Sequence, residues 1–317
     1  MTATLQIVVL NHLADRHLEV LQHAAPHCTI HMVKPESAAP LMAEADILAT
    51  WGHLDVRDLY RAAPKLKWIH ALSAGVEQLT FPELQSSSVI LTNSKGIHGI
   101  PVSEHVLSMM LAFTRGLNLF IRQQQQSIWK RVPTDEIYEK TIAIVGLGSI
   151  GRSIAKRAKG LGMTVLASKQ EQTNEIFVDR LYRPDQMHQM LAEADFVVVA
   201  VPLTETTKEL FTIEEFRSMK KNAYFINIAR GAVVNEADLV TALEQGLIKG
   251  AGLDVFDHEP LAETSPLWNM PNVIITPHIA ALSPYYLDRA IKLFADNLTH
   301  FIQGDALINI VDKVKGY

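Results

Sequence analysis

The sequence predicts an α/β fold with two doubly wound parallel-sheet domains around an interdomain cleft. Short apolar runs rich in β-branched residues alternate with amphipathic stretches, as buried parallel strands alternate with covering helices. This alternation occurs once before and once after a long helical stretch, predicted as one helix over 103–127 with Ser103 as its N-cap. The 317 residues also suit two domains of about 150 residues each.

The strands and helices follow from the position of each run. Before the long helix, the predicted strands are 7–10, 47–50, 67–72 and 89–92, and the predicted helix is 14–24. After it, the predicted strands are 141–145, 164–167, 196–200, 224–228, 251–255 and 273–276. Helices are predicted there at 152–161, 187–194, 212–219, 236–245 and 284–303. The last of these should end at Gly304, because glycine readily adopts the left-handed conformation that ends helices.

Three glycines directly follow the strand 141–145 and precede an amphipathic helix. Gly146 allows the tight turn, Gly148 lets the backbone approach a pyrophosphate, and Gly151 lets helix and strand pack closely. The N-terminus of the following helix offers N–H groups and a positive dipole end to phosphates. The turn therefore predicts a dinucleotide cofactor; the alternative is a glycine-rich turn in an unrelated α/β protein.

Residues with suitable chemistry follow three successive strands. Arg230 follows the strand 224–228, Asp254 and Glu259 follow the next, and His278 follows the strand 273–276. Ligands of such sheets bind beyond the carboxyl ends of the strands, so these groups should share one region. Arg230 has the planar fork that grips a carboxylate, and His278 can donate a proton to a carbonyl oxygen while Glu259 orients it. The set predicts reduction of a 2-oxo acid.

Each of these residues also has a structural interpretation. Arg230 alone would suit a surface ion pair, Glu259 a loop, and His278 a buried and hydrogen-bonded histidine. Their joint appearance downstream of the glycine turn favours the functional interpretation.

With these residues in view, the chain resembles the D-isomer-specific 2-hydroxyacid dehydrogenase family over nearly its whole length. The matching segments are GIHGIPVSEHV at 96–106, VGLGSIG at 145–151, VPLTETT at 201–207, MKKNAYFINIARGAVVNEADLVTALEQGLIKGAGLDVFDHEPL at 219–261 and NVIITPHIA at 272–280. The resemblance implies a Rossmann-type dinucleotide-binding domain over 99–284. It also implies a discontinuous, flavodoxin-like substrate domain over 1–98 and 285–317.

The resemblance further implies the site residues. The family's catalytic arginine, glutamate and histidine fall on Arg230, Glu259 and His278. The substrate carboxylate is expected at Arg230 and at the backbone of the loop that contains Ser73, Ala74 and Gly75. Asp254 would contact the nicotinamide carboxamide. The full set of expected cofactor contacts is Gly146, Gly148, Ser149, Ile150, Ser168, Lys169, Val201, Pro202, Thr207, Ile228, Ala229, Asp254 and His278.

The end of the second strand after the glycine turn departs from the pattern of NAD-using members. Those members carry an acidic residue there, about 20 residues past the turn, for the ribose hydroxyls. Here Ser168 and Lys169 occupy the position. A hydroxyl and an ammonium suit a 2′-phosphate, so NADP(H) is the favoured cofactor. Nearby Glu171 keeps NAD(H) as the alternative.

Composition excludes several other classes of partner. A net charge of −5 without a basic block argues against a nucleic-acid partner, and no apolar run has the length of a membrane span. The 13 histidines form no compact metal-ligand cluster, so no metal is expected. Cys28 is the single cysteine, and the first residues lack a signal-peptide pattern, so we expect a cytoplasmic protein.

The sequence thus predicts an oxidoreductase that transfers a hydride between a nicotinamide cofactor and a 2-oxo or D-2-hydroxy acid, with glyoxylate or hydroxypyruvate as the nearest substrate. A phosphoglycerate dehydrogenase is the alternative among enzymes. The alternatives in other classes are a nucleotide-sensing, corepressor-like binding protein and an inactive paralogue.

Two further points rest partly on the resemblance. The long helix implies a homodimer, although its apolar stripe would equally suit the core of one chain; the stripe is Val106, Met109, Met110, Phe113 and Leu117. The sequence does not decide the roles of Trp51, Tyr285 and Tyr286. Each could line the substrate pocket or pack inside the protein.

Overall fold

Two separate parallel sheets organise the chain, one of five strands and one of seven. The computed structural model describes residues 4–314. Unit 1 comprises the described residues up to Ile97 and from Ser283 onward, and unit 2 is His98–Leu282. The two sheets confirm the predicted α/β fold class.

The elements are numbered along the chain. The strands are β1 (Gln6–Val9), β2 (Thr29–Met32), β3 (Ile47–Thr50), β4 (Trp68–Ala71), β5 (Ile90–Asn93), β6 (Thr141–Val145), β7 (Thr164–Ser168), β8 (Arg180–Tyr182), β9 (Phe196–Val199), β10 (Tyr224–Asn227), β11 (Gly250–Leu253) and β12 (Val273–Ile275). The helices are α1 (Asp15–Ala24), α2 (Ala39–Met42), α3 (Arg57–Arg61), α4 (Pro82–Gln85), α5 (Gly99–Thr114), α6 (Leu117–Gln125), α7 (Ser149–Gly160), α8 (Met187–Glu193), α9 (Ile213–Ser218), α10 (Glu236–Glu244) and α11 (Tyr286–Gln303). Short 3-10 turns cover Pro35–Ser37, Pro184–Gln186, Gly231–Val233 and Pro266–Asn269.

The sheet of unit 1 has the strand order β2-β1-β3-β4-β5, with all neighbours parallel. Its central strands are apolar on both faces because helices cover both sides. One face packs on α1 and α11, where Ile291, Phe294 and Leu298 are buried. Helix α11 ends at Gly304 with φ of 79°, as the sequence predicts.

The sheet of unit 2 has the order β12-β11-β10-β9-β6-β7-β8, again all parallel. On one side of β6 lie β7 and β8, the second and third strands of the unit, and on the other side lie β9 to β12 in sequence order. This is the strand order of a nucleotide-binding sheet. The carboxyl ends of β6, β9 and β10 therefore lie side by side. The glycine turn and the predicted catalytic segments leave the sheet at this same edge.

The predicted helix over 103–127 is wrong in two respects. The structure has two helices, α5 and α6, because Gly116 between them takes a left-handed φ of 68°. Helix α5 begins at Gly99, and Ser103 lies inside it with its hydroxyl donating to the Gly99 carbonyl oxygen at 2.5 Å. Ser103 is therefore not an N-cap.

The apolar stripe of this region mainly serves the core of unit 2. Val106, Met109, Met110 and Phe113 are buried there, whereas Leu117 is 49% exposed. Among the described residues, no helix combines the length and apolar character that a membrane crossing requires.

Candidate functional site

The glycine turn of unit 2 has the backbone geometry that its sequence predicts. Gly146 has φ of 100°, and a Cβ there would lie 2.7 Å from Cγ1 of Val201. A Cβ on Gly151 would lie 2.3 Å from the carbonyl oxygen of Gly146. At Gly148 an added Cβ would meet no atom within 4 Å, so the space before helix α7 is open. The first N–H groups of a helix lack intrahelical partners, so the turn fits the phosphates of a dinucleotide.

The other expected cofactor contacts of this turn and its neighbours follow from the sheet order. Ser149 and Ile150 begin α7, and Val201 and Pro202 follow β9. Thr207 donates its hydroxyl to the Pro202 carbonyl oxygen at 2.6 Å, which fixes this loop. Beyond β10 lie the buried residues Ile228 and Ala229. Since β6, β9 and β10 are neighbours, these segments lie at one edge of the sheet.

At the end of β7, Ser168 is buried and Lys169 is bonded within the protein. Nζ of Lys169 lies 2.9 Å from Oγ1 of Thr173 and 3.3 Å from Oε1 of Glu175. Arg152 holds the same carboxylate with two hydrogen bonds, 2.9 Å from Nε and 2.7 Å from a terminal nitrogen. These bonds, the one from Arg152 foremost, lower the pKa of Glu175 to about 2.

Sequence reasoning missed Arg152 and Glu175. Arg152 directly follows Gly151, so a cation in the first turn of α7 was a readable signal. Glu175 lies in an irregular loop, and no pattern in the sequence indicates where its side chain points.

The predicted catalytic residues all lie in unit 2, beyond β10, β11 and β12. Nδ1 of His278 lies 2.7 Å from Oε2 of Glu259, and the other carboxylate oxygen accepts the N–H of Phe256 at 3.1 Å. Partial burial pushes the pKa of Glu259 up, but the bonds from His278 and Phe256 and the charges of His278 and Arg230 outweigh it. The pKa of Glu259 is therefore lowered, so the carboxylate is ionised at neutral pH.

Arg230 is exposed, and one terminal nitrogen of its guanidinium donates to the Ala229 carbonyl oxygen at 2.6 Å. The adjacent Gly231 packs directly on the backbone of Phe256, since a Cβ there would lie 1.8 Å from the Phe256 carbonyl carbon. This close approach joins the segment of Arg230 to the segment of Glu259. The structure thus brings a guanidinium, a carboxylate and an imidazole into one region.

The backbone of His278 is held by Asp254. His278 has a left-handed φ of 53°, and its N–H donates to the Asp254 carbonyl oxygen at 2.8 Å. The buried Asp254 carboxylate accepts the N–H groups of Ile279 and Ala280, each at 2.9 Å, and the Thr276 hydroxyl at 2.6 Å. A non-glycine residue in this conformation persists only where its surroundings fix it. Asp254 therefore shapes the turn that carries the imidazole, and its contact with a nicotinamide carboxamide stays a prediction.

His105 of helix α5 supports the same turn and was not singled out from the sequence. Its Nε2 lies 3.0 Å from Oγ1 of Thr276 and 3.6 Å from Oδ1 of Asp254. Burial lowers the pKa of His105, against the opposing effect of the Asp254 charge.

In unit 1, the predicted substrate loop follows β4. The Ser73 hydroxyl accepts the N–H of Gly52 and donates to the Gly75 carbonyl oxygen, both at 2.8 Å. Asn93 fixes the Ala74 carbonyl oxygen with a bond of 2.7 Å. A Cβ on Gly52 would lie 1.8 Å from the Gly75 carbonyl oxygen, so the loop packs directly on the backbone of Gly52.

Two of the three aromatic residues left open by the sequence pack beside this loop. Trp51 stacks on Tyr286 with ring centroids 5.9 Å apart, and the Tyr286 hydroxyl donates to the Leu72 carbonyl oxygen at 3.0 Å. Tyr285 is 60% exposed and lies under the guanidinium of Arg289. Over residues 4–314 no cluster of three or more His, Cys, Asp or Glu side chains could hold a metal ion.

Comparison with known proteins identifies the family. The family model described as "D-isomer specific 2-hydroxyacid dehydrogenase, NAD binding domain" matches residues 107–280. A glyoxylate/hydroxypyruvate reductase B of Klebsiella pneumoniae is 33% identical over 93% of this chain and 95% of its own. Two solved structures are similar over nearly the whole chain.

The first is a D-isomer specific 2-hydroxyacid dehydrogenase family protein of Aeromonas salmonicida, 35% identical with a TM-score of 0.81 over 98% of this chain and 100% of its own. The second is the NADPH-dependent glyoxylate/hydroxypyruvate reductase of Sinorhizobium meliloti, in complex with NADP and sulfate. It is 28% identical, with a TM-score of 0.75 over 99% of this chain and 100% of its own. On these matches the chain belongs to the D-isomer specific 2-hydroxyacid dehydrogenase family of oxidoreductases.

Proposed function

We propose that this enzyme is an NADP(H)-preferring 2-oxo acid reductase that acts on glyoxylate or hydroxypyruvate. The observation that carries the proposal is the hydrogen bond between His278 and Glu259 beside the Arg230 charge. This trio supplies a proton donor, a group that orients it and a carboxylate ligand, which reduction of a 2-oxo acid needs.

The roles of the three groups follow from their bonds. Glu259 accepts the Nδ1–H of His278, which fixes the tautomer and leaves Nε2 as the atom that exchanges a proton. Protonated His278 donates that proton to the carbonyl oxygen of the 2-oxo acid, and in the reverse direction neutral His278 accepts it. Arg230 binds the substrate carboxylate and draws charge toward the carbonyl. A bound reduced nicotinamide would supply the hydride to the carbonyl carbon.

We further propose a dinucleotide-binding domain over 99–284 and a substrate domain over 1–98 plus 285–317. The first corresponds to unit 2 and the second to unit 1, apart from one residue at the first boundary and two at the second. In unit 1, the backbone N–H groups of Ser73, Ala74 and Gly75 are proposed as ligands of the substrate carboxylate. The fixed carbonyl groups of this loop support the proposal, because a rigid loop loses little entropy on binding. A cytoplasmic location is proposed on the strength of the free thiol of Cys28.

Two cations at the end of β7 support the preference for NADP(H). Lys169 and Arg152 both direct nitrogen atoms to one point, occupied by the Glu175 carboxylate. Charge-assisted bonds of this kind also suit a phosphate. The S. meliloti relative is named as NADPH-dependent. We expect kcat/KM to be at least about tenfold higher with NADPH than with NADH, and an equal or higher value with NADH would contradict the preference.

One assay tests the reaction class. NADPH oxidation is followed by absorbance with glyoxylate, hydroxypyruvate, pyruvate, phenylpyruvate and branched-chain 2-oxo acids, and phosphoglycerate oxidation is followed in the reverse direction. We expect turnover with glyoxylate or hydroxypyruvate to exceed that with every other acid. Oxidation of phosphoglycerate alone would support the dehydrogenase alternative. Tight nucleotide binding without turnover would support the corepressor-like or inactive alternatives.

We also propose a homodimer. Large apolar side chains are exposed on α6 and just beyond it: Leu117, Ile121, Ile128 and Trp129. Trp129 is 96% exposed, and several large apolar side chains exposed within one short stretch of chain favour an interface. Light scattering should give twice the chain mass for the wild type and a lower mass for Ile121→Asp. The matched variant Val314→Asp changes an exposed apolar residue of unit 1 and should stay dimeric; a monomeric wild type would contradict the proposal.

A further inference from the structure

Four side chains form a closed cluster at the end of β7. Arg152 and Lys169 provide two cations, Thr173 a hydroxyl and Glu175 the single carboxylate; we call this group the β7 cluster. Oε1 of Glu175 accepts bonds from Arg152 at 2.7 Å, from Thr173 at 2.9 Å and from Lys169 at 3.3 Å. Oε2 accepts the Arg152 Nε–H at 2.9 Å. The carboxylate thus accepts four hydrogen bonds, and the Glu175 side chain is only 11% exposed.

This donor set has the chemistry of a phosphomonoester site. A guanidinium fork, an ammonium and a hydroxyl are the groups that bind the terminal oxygens of a phosphate. One carboxylate carries a single negative charge and two oxygens, whereas a phosphomonoester carries nearly two charges and three oxygens. The donors of the β7 cluster therefore suit an anion with more charge and more oxygens than the carboxylate that they now bind.

The position of the cluster identifies the phosphate. Lys169 directly follows the second strand after the glycine turn, and Arg152 lies in the first turn of the helix that follows this turn. The end of that strand is where nucleotide-binding sheets meet the ribose 2′ position of a dinucleotide. A phosphate bound here would be the 2′-phosphate of NADP(H).

We propose that Glu175 occupies the 2′-phosphate site as an intramolecular competitor and that NADP(H) displaces its carboxylate from Arg152 and Lys169. The proposal rests on the preference for NADP(H) proposed above and adds the residue that opposes it. Two anions at one point repel each other, so the carboxylate has to leave before the phosphate engages both cations. The loop that carries Glu175 lies outside every helix and strand. Residues 171–174 and Ile176 are exposed, whereas Phe177 and Val178 pack against the core of unit 2, so the stretch 171–176 can move while its far end stays anchored.

The competitor affects the two cofactors differently. NAD(H) carries a hydroxyl at the 2′ position and has no need of the cations, so Glu175 stays in place when NAD(H) binds. NADP(H) binding loses the free energy of the Glu175 ion pairs. Glu175 thus narrows the discrimination between the two cofactors, and the low pKa of its carboxyl keeps it charged at every physiological pH.

Isothermal titration of the full-length protein with NADPH, NADH and 2′,5′-ADP tests the proposal. Glu175→Gln should lower the Kd of NADPH and of 2′,5′-ADP by about tenfold, since the neutral amide competes poorly for two cations. The Kd of NADH should change by less than about twofold. An unchanged or higher Kd of 2′,5′-ADP would overturn the proposal. A strongly raised Kd of NADH would overturn it as well, because Glu175 would then be a ribose ligand.

Further variants separate the competitor from its surroundings. Arg152→Gln and Lys169→Gln should each raise the Kd of 2′,5′-ADP. Glu193→Gln removes the same charge from a pair with Arg180 elsewhere in unit 2 and should leave all three Kd values unchanged. Should Glu175→Gln fold poorly, Glu175→Asp keeps the charge on a shorter side chain and should lower the Kd of 2′,5′-ADP by a smaller factor; no change in that variant would count against the proposal.

The same data distinguish this inference from the cofactor preference. The wild-type ratio of the NADPH and NADH constants tests the preference alone. A wild type that prefers NADH, combined with tighter 2′,5′-ADP binding by Glu175→Gln, would remove the preference and keep the competitor. A wild type that prefers NADPH, combined with no effect of Glu175→Gln, would keep the preference and remove the competitor role of Glu175.

Discussion

Nδ1 of His278 lies 2.7 Å from Oε2 of Glu259, while Oε1 of the same carboxylate accepts the N–H of Phe256 at 3.1 Å. The backbone bond fixes the carboxylate, and the carboxylate fixes the imidazole. In the mechanism proposed above, His278 therefore presents one defined nitrogen, Nε2, to the substrate. Each group of the trio can be tested by a substitution that changes one property at a time.

Glu259→Gln removes the charge and keeps the size of the side chain. The amide oxygen can still accept the Nδ1–H of His278, but the imidazolium loses its neighbouring anion. We expect kcat for reduction to fall at least about tenfold while the KM for glyoxylate stays within about twofold of the wild type, because Glu259 acts through His278 and not on the substrate. Steady-state reduction of glyoxylate by NADPH measures both constants. A higher KM with an unchanged kcat would show that Glu259 acts on substrate binding alone.

His278→Asn tests the proton donor without disturbing the backbone. Asparagine adopts the left-handed conformation of this residue more readily than alanine does, so lost activity reports chemistry rather than strain. We expect kcat to fall by a factor of about 10² to 10⁴, with the Kd of NADPH unchanged. Single-turnover reduction of glyoxylate measures the chemical step. Activity within tenfold of the wild type would exclude His278 as the acid.

Arg230→Lys keeps the positive charge and removes the planar fork. A lysine offers a point charge where a carboxylate takes two parallel bonds from arginine. We expect kcat/KM for glyoxylate to fall by about 10- to 100-fold, with a higher KM and a lower kcat together. Arg217→Lys changes an exposed partner of Glu214 in the same unit and should leave both constants as they are. A change in KM alone would restrict Arg230 to ground-state binding.

The buried strands were predictable from the sequence, as were the edge strands β5 and β12, whereas the edge strands β2 and β8 were not. Strands such as β6 and β9 are buried on both faces, so their sequences are continuous apolar runs. β2 and β8 lie at sheet edges, are partly exposed and carry polar residues such as Thr29 and Arg180. Their pairing depends on the neighbouring strand more than on their own composition, and the sequence prediction omitted both.

The site residues likewise include some that were predictable from the sequence and some that were not. Arg230, Glu259 and His278 were readable because each follows a recognisable buried strand, and parallel strands end at one edge. The link between His105 and Thr276 spans 171 residues, and Glu175 meets Arg152 only through the shape of an irregular loop. Contacts of this kind depend on tertiary packing, which has no period in the sequence.

In unit 1, His70 is held neutral by complete burial. Burial lowers the pKa of His70 from 6.5 to about 3. Trp68 Nε1 donates to Oγ1 of Thr92, and the same hydroxyl lies 2.8 Å from His70 Nδ1. The Ser94 hydroxyl donates its one proton to the Ala71 carbonyl oxygen at 3.0 Å, so at 3.3 Å from His70 Nε2 it accepts the ring proton. Nδ1 of His70 is then unprotonated and accepts the Thr92 hydroxyl proton, and a second proton on the ring, at Nδ1, would remove that acceptor.

His70 should therefore make unit 1 less stable in acid. Between pH 6.5 and about 3 the unfolded chain binds a proton at this histidine and the folded chain does not, so the free energy of unfolding falls as the pH falls. The slope from this one group is at most about 1.4 kcal/mol per pH unit. His70→Gln keeps a polar side chain that does not titrate, and it should remove this slope, which urea unfolding between about pH 4.5 and 7.5 measures. A packing defect in the variant would lower the free energy equally at every pH, so only the slope reports titration. Parallel curves for the two proteins would mean that His70 is protonated in the folded state with little penalty.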